Sequence, residues 1–186
     1  MGSEREMPCA LIVMGVSGSG KSTIGEALAA RLGWRYEDGD AFHPQSNVAK
    51  MRAGQPLTDE DRWPWLRAIA AEIDRVCDGG GRIVIGCSAL KRAYRDELLG
   101  GRPEARMVFL ATDRDVLTRR LAARVGHFFP EQLLASQLAV LEPPGPDEHV
   151  IRVVPSDRPA GTVDAIIALL FPGGPPGRER EHEAEA

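Results

Sequence analysis

Gly15-Val16-Ser17-Gly18-Ser19-Gly20-Lys21-Ser22 fits the spacing G-x-x-x-x-G-K-[ST] in full. Glycines let a backbone wrap closely around a phosphate, and the amides at a helix N-terminus supply donors and positive potential. The flanks supply the frame that separates a working loop from a chance match. Upstream, Cys9–Met14 is a short, continuously apolar run of the kind that makes a buried parallel strand. Downstream, Lys21–Leu32 carries Ile24, Leu28 and Leu32 at spacing four, a helix stopped by Gly33. The strand–loop–helix frame implies that Gly15, Ser17, Gly18, Ser19 and Gly20 cradle the phosphates of ATP. Lys21 then bridges the β- and γ-phosphates, Ser22 ligates Mg²⁺, and Thr23 completes the nucleotide-binding set.

Further along the chain, apolar runs alternate with helical patterns. Arg35–Glu37 reads as a second strand running into Asp38-Gly39-Asp40, followed by a short helix over 46–53. A longer helix over 58–77 takes Thr58 as N-cap and places Asp59, Glu60 and Asp61 in its first turn, where negative charge suits the dipole. Strands are expected at 82–86, 107–111 and 149–154, with helices at 91–99, 114–124, 130–141 and 159–170. This alternation implies crossover units and a five-stranded parallel sheet in a three-layer α/β/α fold of the phosphate-loop NTPase type. One domain is expected over 8–172, with polar tails at 1–7 and 173–186 too poor in apolar residues to order. Ligands of such sheets gather at the carboxyl ends of the strands, so the strand exits are the segments that matter.

The bulk numbers exclude several classes. With 186 residues there is room for one sizeable core. A formal net charge of −4, from 23 basic and 27 acidic residues, gives no general pull toward nucleic acid or an anionic membrane. No run approaches the roughly 20 apolar residues that span a bilayer, and the polar start does not read as a signal peptide. The three cysteines, Cys9, Cys77 and Cys87, read as too few and too scattered for a disulfide framework or a zinc site. A reducing cytoplasm is the expected location.

A phosphate loop alone does not distinguish kinases from other NTPases. No Asn-Lys-x-Asp guanine-reading motif stands at the fourth or fifth strand exit, and the chain is short for a large ATPase core. The third strand exits as Gly86-Cys87-Ser88, with no acid to organise Mg²⁺, so Asp38 at the second exit is the expected substitute, acting through water. Read as an extended segment, Asp38-Gly39-Asp40 aims both carboxylates the same way. Asp38 then faces Mg²⁺ and Asp40 an acceptor hydroxyl, as base or as orienter. General-base help is worth roughly 10²–10⁴-fold where it operates. The alternative is a turn with solvated acids.

Beyond the loop, the chain resembles the gluconokinases, small phosphate-loop kinases related to shikimate and adenylate kinases. The resemblance rests on Asp38–Pro44, Asn47–Met51, Gly54–Leu66, Cys87–Lys91 with Tyr94-Arg95-Asp96, Arg124–Phe128, and Leu133–Leu138 with Leu141–Pro143, in order from about residue 10 to 155. It implies phosphorylation of D-gluconate by ATP and Mg²⁺, feeding the pentose phosphate or Entner–Doudoroff route, in a homodimer. It also implies a substrate-binding insert over about 40–80 and a lid over about 120–142. Two departures are mild: Ala41 stands where a second acidic residue often follows Asp40, and the C-terminal tail is long.

Gluconate is a polyol with one carboxylate, so its site needs many hydrogen-bonding groups and a cation. Asp40, His43, Lys50, Arg62, Ser88, Lys91, Arg95 and His127 are the candidates. By resemblance Arg62 and Lys91 lead; His43 alternatively caps a loop, and Lys50 alternatively lies exposed. Trp63 and Trp65 read as packing residues, as does Cys87, which has no clear base partner. On the lid, Arg124 is expected on the transferring phosphoryl group, with Arg120 one turn earlier as second choice or stacked on adenine; such an arginine can be worth 10³–10⁵ in rate. Pro155-Ser156-Asp157 is expected near adenine by position. Two rivals stand: a sibling kinase for shikimate or another sugar acid, and a non-catalytic ATP-binding regulatory module.

Overall fold

The computed structural model describes residues 7–122 and 131–173. Five strands, β1 (Ala10–Met14), β2 (Arg35–Asp38), β3 (Ile83–Gly86), β4 (Ala105–Leu110) and β5 (Ile151–Val153), form one sheet in the order β2-β3-β1-β4-β5. Every pairing is parallel. β1 lies at the centre, and all five of its residues are buried. Its alternation divides the core into two layers. Ala10, Ile12 and Met14 join one apolar cluster with Ile69 and Ile73 of α3 (Asp59–Asp78) and Leu98 of α4 (Arg92–Leu99). Leu11 and Val13 join the other, with Leu28 of α1 (Lys21–Leu32) and Ile166 of α7 (Pro159–Leu170). A strand covered on both faces needs apolar residues at every position, which is why β1 reads as a continuous run.

The remaining helices are α2 (Gln45–Arg52), α5 (Arg114–Ala122) and α6 (Glu131–Val140). A third, smaller cluster at the strand exits joins Val16, Leu90, Leu117 of α5 and Leu134 of α6. It seats α6 against the glycine-rich loop.

Gly33 closes α1 in the left-handed region, its N–H bonding the Ala29 and Ala30 carbonyls. Thr58 caps α3 in a full capping box: its hydroxyl accepts from Asp61 N–H, and the Asp61 carboxylate accepts from Thr58 N–H. β5 is shorter than expected from the sequence, because His149 adopts a left-handed conformation and Val154 is 72% exposed. The expected last turn of α5, to Arg124, lies outside the described residues.

One expectation is overturned. Cys9 and Cys77 form a disulfide, with Cα atoms 5.5 Å apart. Their separation of 68 residues concealed the pairing, because the fold lays the end of α3 beside the start of β1. Cys87 is the free, buried cysteine.

Candidate active site

The loop between β1 and α1 has the backbone its glycines permit. Gly15, Gly18 and Gly20 all have positive φ, and Gly20 is the left-handed N-cap of α1. Lys21 is the first helical residue, and its Nζ donates to the Val16 carbonyl at 3.2 Å. α1 thus opens directly on the loop, where the dipole at its N-terminus favours an anion.

A cleft of about 160 Å³ lies against the loop. Ser17, Lys21 and Ser22 of the loop and Asp38, Asp40 and Gly86 of the neighbouring strand exits line it together. The two expected carboxylates therefore do face the phosphate loop, but by a different local structure. Asp38-Gly39-Asp40 is not an extended segment. Asp38 ends β2 and accepts a hydrogen bond from Asp40 N–H at 3.0 Å, capping a 3-10 turn over Gly39–Phe42. Gly39 is required because an added Cβ would overlap the Gly86 carbonyl oxygen of the neighbouring strand. Trp65 of α3 pins the same turn, donating its indole N–H to the Gly39 carbonyl at 2.7 Å. Trp65 thus packs, as expected, and also positions both acids.

A second cleft, of about 290 Å³, also borders the loop and shares Gly18, Gly20 and Thr23 with the first. It is lined by Ser19, Gly20, Thr23, Arg120, Ser156 and Asp157 among others. Arg120 donates to the Ser19 carbonyl at 3.4 Å. This places Arg120 and the segment after β5 together beside the phosphate loop, where the sequence expected a nucleotide base. The Ser19 hydroxyl is fully buried and without a hydrogen-bond partner among the described residues.

The expected substrate cations are gathered, but each is already engaged. Lys91 donates to both Asp59 oxygens, at 2.9 and 2.7 Å, and Tyr94 donates its hydroxyl to the same carboxylate at 2.5 Å. Arg62 lies 3.7 Å from Asp59 and 5.9 Å from the centre of the Tyr94 ring. Lys50 is not a freely exposed lysine: it donates to both Asp61 oxygens, at 2.7 and 2.8 Å. The hydrogen bond from Lys91 holds the Asp59 carboxyl below its ordinary range and raises Lys91 in turn. From the sequence alone, Asp59 and Asp61 read only as first-turn charges of α3. Their partners come from elements up to 35 residues away in the chain.

His43 is part of a built structure too. Its ring stacks on Trp65 with centroids 4.3 Å apart and planes 14° from parallel. Asn47, 1% exposed, presents its Nδ2 to the Asp61 carbonyl at 2.7 Å and to His43 Nδ1 at 3.2 Å. The first contact fixes Nδ2 as the donor, so Nδ1 accepts and the ring proton sits on Nε2. Burial lowers the His43 pKa, so the ring is neutral at pH 7. Ser88 is half-buried at the β3 exit. Cys87 beside it is fully buried, and its thiol is pushed up to about 12 by burial first of all, which suits packing and not nucleophilic chemistry.

Arg95 departs from its expected role. Its side chain is 1% exposed and is taken up within the protein: Nε and Nη2 donate to Glu148 at 2.5 and 2.9 Å, and Nη1 donates to the Ala89 and Leu90 carbonyls. It holds the segment after β3 in place and does not present a cation to substrate. Arg124 and His127 lie outside the described residues.

Comparison with known proteins agrees with this architecture. A family model described as an AAA domain matches residues 11–144. A gluconokinase from Gluconobacter oxydans is 48% identical over 160 residues, 86% of this chain and 90% of the relative. The thermoresistant gluconokinase of Escherichia coli is 42% identical over 87% of this chain and 93% of its own. The crystal structure of a gluconokinase from Sinorhizobium meliloti superposes with a TM-score of 0.80 at 43% identity, covering 89% and 93% of the two chains. A shikimate kinase from Bacteroides thetaiotaomicron, at 19% identity and TM-score 0.63, over 87% and 97% of the two chains, shares the fold alone. The chain belongs to the gluconokinase family of phosphate-loop kinases.

Proposed function

We propose that this chain transfers the γ-phosphoryl group of ATP to D-gluconate, forming 6-phospho-D-gluconate. The observation that carries the reading is the single cleft in which Lys21 and Ser22 face Asp38 and Asp40. The loop amides and Lys21 hold the phosphates and stabilise the charge that develops on the equatorial oxygens. Asp40 aligns the acceptor hydroxyl for in-line attack and takes up its proton. Most of the rate comes from positioning and electrostatics.

The Ser22 hydroxyl and the Asp38 carboxylate are hard oxygen donors in one cleft, a set that fits Mg²⁺ held mainly by phosphate and water. When bound there, Mg²⁺ supplies charge neutralisation across the phosphates. The acceptor's carboxylate finds cations in Lys50, Arg62 and Lys91, whose pairing to Asp59 and Asp61 keeps these long side chains ordered before substrate arrives. His43 Nε2–H and Ser88 add donors for the polyol. Arg120 serves the nucleotide. Arg124 and His127, between α5 and α6, complete the reading as lid residues over the transferring group. We also take the chain to be cytoplasmic, where its co-substrate ATP is supplied, and a homodimer, as the resemblance to the gluconokinases implies; no helix among the described residues is long and apolar enough to cross a membrane.

The test is an ADP-release assay with D-gluconate, shikimate, glucono-lactone, glucose and AMP as acceptors. Gluconate should lead by orders of magnitude, since a site built to pair several hydroxyls rejects analogues lacking them by 10⁴ or more. Faster turnover of shikimate would overturn the acceptor. ATP binding without turnover of any acceptor would overturn the kinase reading in favour of a regulatory module.

A further inference from the structure

One contact at the loop joins residues 120 positions apart: Ser17 N–H donates to the Gln137 side-chain oxygen at 2.7 Å. A backbone N–H is an obligate donor, so the atom it meets must be Oε1 and not the amide nitrogen. The orientation of the carboxamide is thereby fixed. Its Nε2 keeps two N–H donors, and no acceptor for them stands among the described residues.

The placement is built and not incidental. Leu134 and Leu138 bracket Gln137 on α6 and pack into the cluster that contains Val16, the second residue of the loop, together with Leu90 and Leu117. Beyond the helix, Glu142 N–H donates to the Leu90 carbonyl at 2.8 Å, and its carboxylate accepts from Arg92 N–H at 2.7 Å. α6 is thus tied to the segment after β3 and to the loop at once, and half-buried Gln137 has little freedom to leave.

Which phosphate it serves follows from the two clefts. Ser17 lines the cleft that also holds Asp38, Asp40 and Gly86. It is absent from the lining of the cleft with Arg120 and Asp157. Gln137 does not itself line either cleft, but its bond to Ser17 ties it to the acceptor end of the loop, where the terminal phosphate of a triphosphate would lie and a diphosphate has none. We infer that Gln137 is a further ligand of the transferring phosphoryl group: Oε1 fixes the Ser17 peptide, and Nε2–H donates to a γ-phosphate oxygen. This rests on the phosphoryl-transfer reading of the loop but not on which acceptor is used.

The test is titration calorimetry of the full chain with Mg²⁺ and either ADP or the non-hydrolysable triphosphate AMPPNP. Gln137→Ala should bind AMPPNP about 10- to 100-fold more weakly, the range for a hydrogen bond to a charged group, and ADP within about twofold. Gln137→Glu keeps an acceptor for Ser17 N–H but replaces the donors with a charged oxygen. It should bind AMPPNP at least as weakly as the alanine variant, and kcat should fall in parallel. A Gln137→Glu chain that binds AMPPNP like the parent would reduce Gln137 to a brace and overturn the proposal. So would a Gln137→Ala chain that loses ADP and AMPPNP equally, or neither. If the alanine variant does not fold, the glutamate variant decides, since it retains the bond to Ser17. Neither titration involves an acceptor, so a wrong acceptor would appear in the ADP-release panel and leave this result unchanged.

Discussion

Replacing Arg95 by methionine removes a guanidinium that is 1% exposed and leaves its partner Glu148, 6% exposed, as a buried carboxylate. Methionine roughly preserves the stem volume, so the loss is electrostatic. Breaking a buried ion pair from one side costs about 3–5 kcal/mol. The Ala89 and Leu90 carbonyls lose their donors as well, which pushes the cost toward the upper end. For a chain of 186 residues, each kcal/mol moves Tm by about 2–4 °C, so the expected fall is about 6–20 °C. Urea unfolding and thermal melts at pH 7 measure it. The double variant Arg95→Met with Glu148→Leu should recover most of the loss, because an apolar replacement of both partners is often neutral. The pH dependence has a definite sign. The Arg95 hydrogen bond, opposed by burial, holds the Glu148 carboxyl below the ordinary glutamate value of 4.5. A depressed carboxylate stabilises the fold above that value, and the contribution is lost as pH falls through the folded pKa. The gap between parent and Arg95→Met should therefore narrow below about pH 4.5. A single-variant cost under about 1 kcal/mol, accompanied by a large rise in KM for the acceptor, would refute this reasoning and return Arg95 to the substrate site.

Asp40→Asn should lower kcat by about 10²-fold or more while KM for ATP changes little; an unchanged kcat in steady-state assays would remove Asp40 from the reaction. Gly39→Ala should destabilise by about 1–3 kcal/mol and depress activity, because its Cβ meets the rigid Gly86 carbonyl; a normal melt with normal turnover would show that the turn tolerates a side chain. Reduction of the Cys9–Cys77 disulfide, which spans a 68-residue separation, should cost about 2–4 kcal/mol in urea unfolding. Cys9→Ser should abolish that sensitivity to dithiothreitol, and coincident oxidised and reduced curves would refute the contribution.

The sheet, the loop and the caps were legible because their causes are local. A fully apolar run makes a doubly covered strand wherever it lies, Gly33 stops α1 by its own left-handed conformation, and Thr58 caps α3 through Asp61, three residues on. At Asp38-Gly39-Asp40, which reads locally as an extended segment, the chain turns instead. The turn there exists because Gly39 fits under the Gly86 carbonyl and Trp65, 26 residues on, binds its oxygen.

By itself, then, the sequence determined the fold class, the phosphate loop and the set of charged residues from which a gluconate site could be made. Only the tertiary structure decided how those charges are used. It paired Lys91 with Asp59 and Lys50 with Asp61, withdrew Arg95 into a buried pair with Glu148, joined Cys9 to Cys77 and set Gln137 on the phosphate loop. The physical reason is range. Strand and helix patterns are written in neighbours two to four residues apart. The partner of a charged or hydrogen-bonding side chain is chosen by topology, which brings together positions from 11 to 120 residues apart.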